Sequence, residues 1–172
     1  QHAKNRALWL MLLMLSATVS GEILAHYESA MAVMPILITF IPMLMGTSGN
    51  CGSQSSTMVI RGIAVGEIEF KEFFKVVFKE IRIAILVGVM LAVVNGIRIY
   101  IMYDQDIMLA IAIGITMIAI VCMAKCIGCT LPLFAKKIGL DPALMAAPLI
   151  STIMDTCTIL MYFAIITAFF KL

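Results

Sequence analysis

The sequence predicts an all-α membrane protein with five transmembrane helices. Three observations carry that prediction. Hydrophobic residues make up 63% of the 172-residue chain against 13% charged, and the mean hydropathy is +1.10. A soluble domain averages about 45–50% apolar and about 25% charged residues. Charge is confined between five apolar tracts, each able to cross a bilayer as a helix of about 20 residues. Within the tracts there is none of the alternation of a membrane barrel strand, as in Met108-Leu109-Ala110-Ile111-Ala112-Ile113. Helices, in addition, satisfy their own backbone groups in lipid. The composition excludes a disordered chain. A net charge of +2, from 12 basic and 10 acidic residues, leaves no basic stripe for nucleic acid.

The predicted helices cover residues 8–27, 32–60, 80–101, 106–129 and 143–170. The first follows Lys4 and Arg6 and is read as a retained helix rather than a signal-peptide core. The second lies in the longest uncharged run, residues 29–60, which contains Pro35 and Pro42. Before the third, Ile68, Phe70, Phe73, Phe74 and Val77 interleave with Glu67, Glu69, Lys71, Glu72 and Lys75. That pattern predicts a short interfacial helix leading into the span, with a solvated loop as the alternative. Arg82 and Arg98 bound the third tract and can snorkel, extending it beyond its uncharged core. The fourth and fifth tracts have uncharged cores at 107–124 and 142–170. Five is an odd number, so symmetry is expected from a second copy of the chain rather than from an internal duplication.

Ten of the 12 basic residues fall on one side of this arrangement, among them Arg61, Lys71, Lys75, Lys79, Arg82, Lys125, Lys136 and Lys137. The positive-inside rule assigns that side to the cytoplasm of a multi-pass protein of the cell membrane. The N-terminus is then cytoplasmic and the C-terminus extracytoplasmic.

Polar residues inside apolar tracts are the candidate functional groups. Asp155 stands 13 positions after Pro142, about 20 Å into the helix and near mid-membrane. A carboxylate there is costly unless paired, protonated or beside an aqueous path. Ser151, Thr152 and Thr158 share its face, and the helix has no Lys or Arg before Lys171. The reading is a cation or proton site, against a buried acid that stabilises packing. In the second tract, Gly46-Thr47-Ser48-Gly49-Asn50-Cys51-Gly52-Ser53-Gln54-Ser55-Ser56-Thr57 is polar and glycine-rich. Asn50 and Gln54 face one way, with Thr47 and Thr57 three residues to either side. A pore lining and a small-residue helix contact both fit this stretch. It lacks the Gly-Lys-Ser/Thr ending of a phosphate loop.

One carboxylate with amides and hydroxyls suits a hard, largely hydrated divalent cation. Zinc or copper would prefer His and Cys. His2 and His26 are read as surface residues. Cys122, Cys126 and Cys129 have a spacing that resembles cluster ligands, but they and Cys51 and Cys157 are read as small packing residues. Glu22 and Glu28, at the outer mouth with Asp104 and Asp106 in the other outer loop, either concentrate cations or are solvated loop charges. No catalytic triad, acid–base pair or nucleotide fingerprint has a plausible context, so no enzyme is expected.

The run from Pro42 to Thr57, with Pro42-Met43-Leu44-Met45 before the polar stretch, followed by Arg61 and Gly66-Glu67, resembles the membrane domain of the MgtE-type magnesium transporters. So does Gly139-Leu140-Asp141-Pro142-Ala143, continuing through Pro148, Ser151 and Thr152 to Asp155 and Tyr162-Phe163. The resemblance covers essentially the whole chain. It implies a homodimeric magnesium channel or channel-like transporter with the ion path at the subunit interface. It implies that Asp155 lines that path and helps hold hydrated magnesium. Gly49, Asn50, Gly52 and Gln54 would fall near the path, with Thr47, Ser151, Thr152 and Ala147 as further lining candidates. Cys157 and Thr158 occupy the neighbourhood of a glycine common after the aspartate, and Ala147 stands where many members are more polar or have glycine. Family members commonly carry cytosolic sensor domains ahead of the membrane domain. The sequence before the first helix holds none, so a truncated or naturally short form is expected.

The leading expectation is therefore passive conduction of Mg2+, with Mn2+, Co2+ or Zn2+ as other cargo. The partners expected are a second copy of the chain and membrane lipid. A proton- or sodium-coupled transporter is the first alternative, distinguished by a requirement for a second ion gradient. A non-transporting membrane scaffold is the second, distinguished by the lack of any flux.

Overall fold

Uninterrupted apolar segments become helices in the computed structural model, which describes residues 2–103, 106–142 and 147–171. In chain order these are α1 (His2–His26), α2 (Glu28–Val33), α3 (Ile41–Ala64), α4 (Phe73–Met102), α5 (Ile107–Lys137) and α6 (Ala147–Phe170). Short 3-10 turns at Pro35–Phe40 and Phe70–Glu72 lead into α3 and α4. Among the described residues the fold is all-helical. Two stretches, Ile107–Lys137 and Leu149–Phe170, are long and apolar enough by length and composition to cross a membrane.

Several boundaries depart from the sequence expectation, each for a local reason. The second predicted helix, 32–60, is broken. Met34 precedes Pro35 and takes φ −131°, ψ 80°, because the proline ring crowds the α region of the residue before it. A 3-10 turn follows, and α3 starts afresh with Pro42 in its first turn, where the missing N–H is harmless. The segment at 66–78, expected to open as a short interfacial helix leading into the third span, holds a 3-10 turn at Phe70–Glu72 that runs directly into α4 at Phe73. The fourth predicted helix ends at 129, but α5 continues through Pro132 to Lys137. Lys125 therefore lies in the body of a helix rather than at its end. Residues 143–146, expected to begin the last helix, lie outside the described residues.

Helix ends follow from identifiable chemistry. The Asp106 carboxylate caps α5 by accepting from the Leu109 N–H at 2.9 Å. Both α3 and α5 end in a glycine with positive φ, Gly66 at 77° and Gly139 at 79°. Glu67 N–H then reaches the Gly62 carbonyl at 2.9 Å, and Leu140 N–H reaches Ala135 at 2.9 Å. These bonds satisfy carbonyls that the helix itself leaves open.

α5 is the central helix, contacting α3, α4 and α6, while α1 lies along α6. The main core gathers Leu37, Phe40, Leu44, Ile113, Ile120, Met154, Tyr162 and Phe163. The Tyr162 hydroxyl donates to the Leu37 carbonyl at 2.9 Å, tying α6 to the 3-10 turn. Tyr27 stacks on Phe163 with ring centroids 4.5 Å apart. A smaller cluster joins Val59, Cys129 and Leu133 to Ile68, Phe70 and Phe73 at the opposite end. The outward faces of α1, α4 and α5 expose Leu10, Met14, Leu86, Val94, Ile107 and Ile111. An apolar exterior of this kind matches lipid rather than water.

Candidate functional site

The polar stretch of the second tract folds as part of α3, and its small residues determine how closely α5 and α6 approach. A Cβ on Gly49 would lie 3.6 Å from Ser151 Oγ. A Cβ on Gly52 would lie 2.9 Å from Met154 Cε and 3.1 Å from Ile150 Cγ2. On α5, a Cβ on Gly128 would overlap the Gly52 backbone carbonyl. The crossing is locked by Thr158, which donates to Ser48 Oγ at 2.6 Å, while Ser48 donates back to Met45 O at 3.0 Å. Ser20 of α1 and Thr156 of α6 share a hydrogen bond of 2.7 Å. The sequence candidates Gly49, Gly52 and Ser151 are thus brought together in one seam.

The other face of α3 is different. Gly46, Asn50, Gln54, Thr57 and Arg61 are all exposed. Their spacing of three or four residues puts them on one stripe, about 22 Å long at 1.5 Å per residue. Asn50, Ser53, Gln54, Thr57, Met58 and Arg61 line an open cavity of about 580 Å³. Thr47 is half-buried, and its hydroxyl is occupied by the Met43 carbonyl at 2.8 Å.

Asp155 is half-buried on α6, one turn beyond Ser151, and Thr152 is half-buried beside it. Among the described residues no side chain donates to the Asp155 carboxyl and no cation faces it. It does not line the Asn50–Gln54 cavity. Ala147 opens α6, and its side chain lies outside what the structure describes. Glu22 and Glu28 are exposed near the end of α1 and the start of α2. Asp104 lies outside the described residues, and Asp106 serves as the α5 cap. Among the described residues no three His, Cys, Asp or Glu side chains gather as a metal cage.

Sequence reasoning missed a buried polar triad. Glu80 of α4 and Lys125 of α5 are 3.4 Å apart, with side chains 1% and 8% exposed. Ser55 of α3 donates to the same Glu80 oxygen at 2.6 Å, and Lys125 donates to Ser55 Oγ at 3.2 Å. Glu80 Oε1 has no partner among the described residues. A signal was present in the spacing. Glu80, Ala84 and Gly88 recur at i, i+4 and i+8, and all three are buried, so the carboxylate sits on the small-residue face that α4 packs inward.

A model of the MgtE family, described as divalent cation transporters, matches residues 41–165 of the chain. The magnesium transporter MgtE of Thermus thermophilus is 32% identical over 160 residues, covering 93% of this chain and 35% of that protein. The magnesium transporter MgtE of Bacillus subtilis is 32% identical over 167 residues, covering 97% and 37%. The magnesium transporter MgtE of Enterococcus faecalis is 29% identical over 172 residues, covering 98% and 37%. The chain therefore spans little more than a third of the length of these curated relatives.

Proposed function

The chain belongs to the MgtE family of divalent cation transporters, and from that premise we propose that it conducts Mg2+ passively along a path between two copies of itself. The family is one of transporters rather than enzymes. In this reading α1, α3 and α4 cross the membrane together with the two most apolar helices, with the N-terminus and the basic loops in the cytoplasm.

The observation that carries the proposal is the exposed polar stripe on α3. Asn50, Gln54, Thr57 and Arg61 cannot face hydrocarbon without each polar group losing its water, at a cost of several kcal/mol. They need a partner surface or a water-filled route, and a second copy provides both when two stripes face one another. Asp155 is the complementary feature: a half-buried carboxylate on an apolar helix, beside the seam that glycines open between α3 and α6.

The chemistry follows from hard-ion preferences. Mg2+ keeps most of its waters and is bound through one or two carboxylates. Asp155 from each copy attracts the hydrated ion, and at a separate point of the route the Asn50 and Gln54 amide oxygens accept from its water shell, as do the hydroxyls of Thr47, Ser151 and Thr152. Gly49 and Gly52 contribute closeness rather than ligands, and Ala147 flanks the path. Glu22 and Glu28 raise the local cation concentration at the outer mouth. The Ser55–Glu80–Lys125 triad holds α3 against α4 and α5 from behind and neutralises the Lys125 charge. An inward-negative potential supplies about 4.6 kcal/mol per 100 mV for a doubly charged ion. Mn2+, Co2+ and Zn2+ compete as cargo according to how readily they shed or keep water.

The test is Mg2+ entry into liposomes carrying the purified chain, driven by a potassium diffusion potential with no proton or sodium gradient. Voltage-driven entry that Asp155→Asn reduces at least tenfold is the expected result. Entry that ignores the substitution overturns the role of Asp155, and entry that demands a second ion gradient overturns passive conduction.

A further inference from the structure

We propose that one face of α4 is a binding site for an anionic phospholipid, with the phosphate held by Lys79 and Arg82 and an acyl tail laid toward the groove between α4 and α5. Lys75, Lys79, Arg82, Leu86, Val89 and Val93 recur at spacings of three and four, so they lie on a single face of the helix. That face is basic for its first two turns and apolar afterwards. A hollow of about 560 Å³ sits at the junction, lined by Lys75, Phe78, Lys79, Arg82, Ile83 and Leu86. Further along, an open groove of about 720 Å³ runs between α4 and α5, floored on one wall by Val89, Val93 and Ile97 and on the other by Ile111, Ile115 and Ile118. Among its lining residues Tyr100 alone carries a polar group. A Cβ on Gly96 would meet nothing within 4 Å, so the groove has room at its floor.

The charge pattern selects the occupant. Lys75 is paired with Glu72 at 3.0 Å, but Lys79 and Arg82 have no acidic partner among the described residues. The Arg82 guanidinium lies 6.0 Å from the centre of the Phe78 ring, and Phe74 and Phe78 are exposed beside the basic turn. Exposed Phe rings next to Lys and Arg fit a segment that lies at the membrane–water boundary, with the rings in the acyl region and the charges among the headgroups. Basic side chains there attract anionic lipid headgroups. Length agrees as well. Half of the hydrocarbon thickness is about 15 Å, or about ten helical residues at 1.5 Å each. A tail leaving a phosphate at Lys79 and Arg82 therefore passes Leu86, enters the groove at Val89 and ends near Val93. A second copy of the chain is a poorer occupant, because the contact proposed between copies runs along the Asn50–Gln54–Thr57 stripe of α3, whereas this groove is lined by α4 and α5 alone.

This inference rests on α4 standing in a bilayer, which is part of the proposed arrangement, but not on the ion path. Its test is native mass spectrometry of the chain in detergent, titrated with phosphatidylglycerol or phosphatidylcholine of the same acyl length. The wild type is expected to retain phosphatidylglycerol about thirtyfold better, given about one kcal/mol for each of the two basic residues. Lys79→Gln/Arg82→Gln should bring the two lipids to near parity with an unchanged helical circular dichroism spectrum. Val93→Trp, which fills the groove without touching charge, should weaken both lipids together. Equal retention of the two lipids by the wild type overturns the proposal, as does a double variant that keeps the preference. So does efficient disulfide cross-linking between copies through Val93→Cys in vesicles. A chain that still carries Mg2+ into liposomes while failing the lipid test leaves the proposed transport standing. A chain that does not enter a bilayer sinks both.

Discussion

Replacing Lys125 with methionine removes the cation that faces Glu80 while keeping a side chain of similar reach. The consequence can be worked from the geometry. At 3.4 Å, two unit charges attract by about 5 kcal/mol at an effective dielectric constant of about 20. That gross attraction offsets the cost of keeping both ions out of water. Removing one partner leaves the other buried and uncompensated, at about 3–5 kcal/mol. Glu80 is 1% exposed and one of its oxygens already lacks a partner among the described residues, so the Ser55 hydroxyl alone remains to hold the carboxylate. Lys125→Met should therefore lower the unfolding midpoint in detergent by on the order of 10 °C, at about 2–4 °C per kcal/mol for a chain of this size. The midpoint is read with a thiol-reactive fluorophore, since Cys51 and Cys129 are buried and free in the fold. Adding Glu80→Gln to Lys125→Met removes the orphaned charge and should recover more than half of the loss. A single variant melting within about 2 °C of the wild type, or a double variant no better than the single, would refute the account of a buried, mutually dependent pair.

Other expectations concern packing, anchoring and charge. Gly128→Ala should destabilise by about 1–3 kcal/mol or abolish folding, because its Cβ would meet the Gly52 backbone rather than a movable side chain. Gly96→Ala has open space and should be neutral or stabilising by up to about 1 kcal/mol in the same melt. Tyr162→Phe loses the hydrogen bond to the Leu37 carbonyl, which ties α6 to the 3-10 turn, so a loss of about 0.5–1.5 kcal/mol is expected in thermal melts. Outside the spans, the hydrogen bond from Lys75, with its charge, holds the Glu72 carboxyl below the ordinary carboxylate range. A lowered pKa in the fold means that the pair stabilises above the ordinary carboxylate range and that this contribution fades as pH falls through the lowered value. Carbon NMR of Glu72 should show its titration move upward in Lys75→Gln; an unmoved titration would contradict the pairing.

Much of the membrane character was legible from the chain alone. Long uncharged tracts, the confinement of Lys and Arg between them, and the isolated Asp155 are properties of a one-dimensional string. Each helix in lipid must be apolar along its own length. The polar stretch from Gly46 to Thr57 was equally visible, as was its resemblance to a transporter family, and membership of that family follows from the similarity across residues 41–165. The break at Met34–Pro35 was written in the sequence too, but a proline near the end of a long apolar run is compatible with both a kink and a new start. Local context at Met34 decided for the latter.

Tertiary structure alone determined which side of α3 each polar residue takes. Gly49 and Gly52 turn toward α6, whereas Asn50, Gln54 and Thr57, only one or a few positions away, face outward. It also brought Lys125 to Glu80 and Ser55, residues that lie 45 and 70 positions away from it along the string. Composition and hydropathy add along the chain, so they survive reading one residue at a time. Ion pairs and helix crossings depend on the rotation of one helix about its axis against another, and that rotation is set by the packed neighbours rather than by the segment itself.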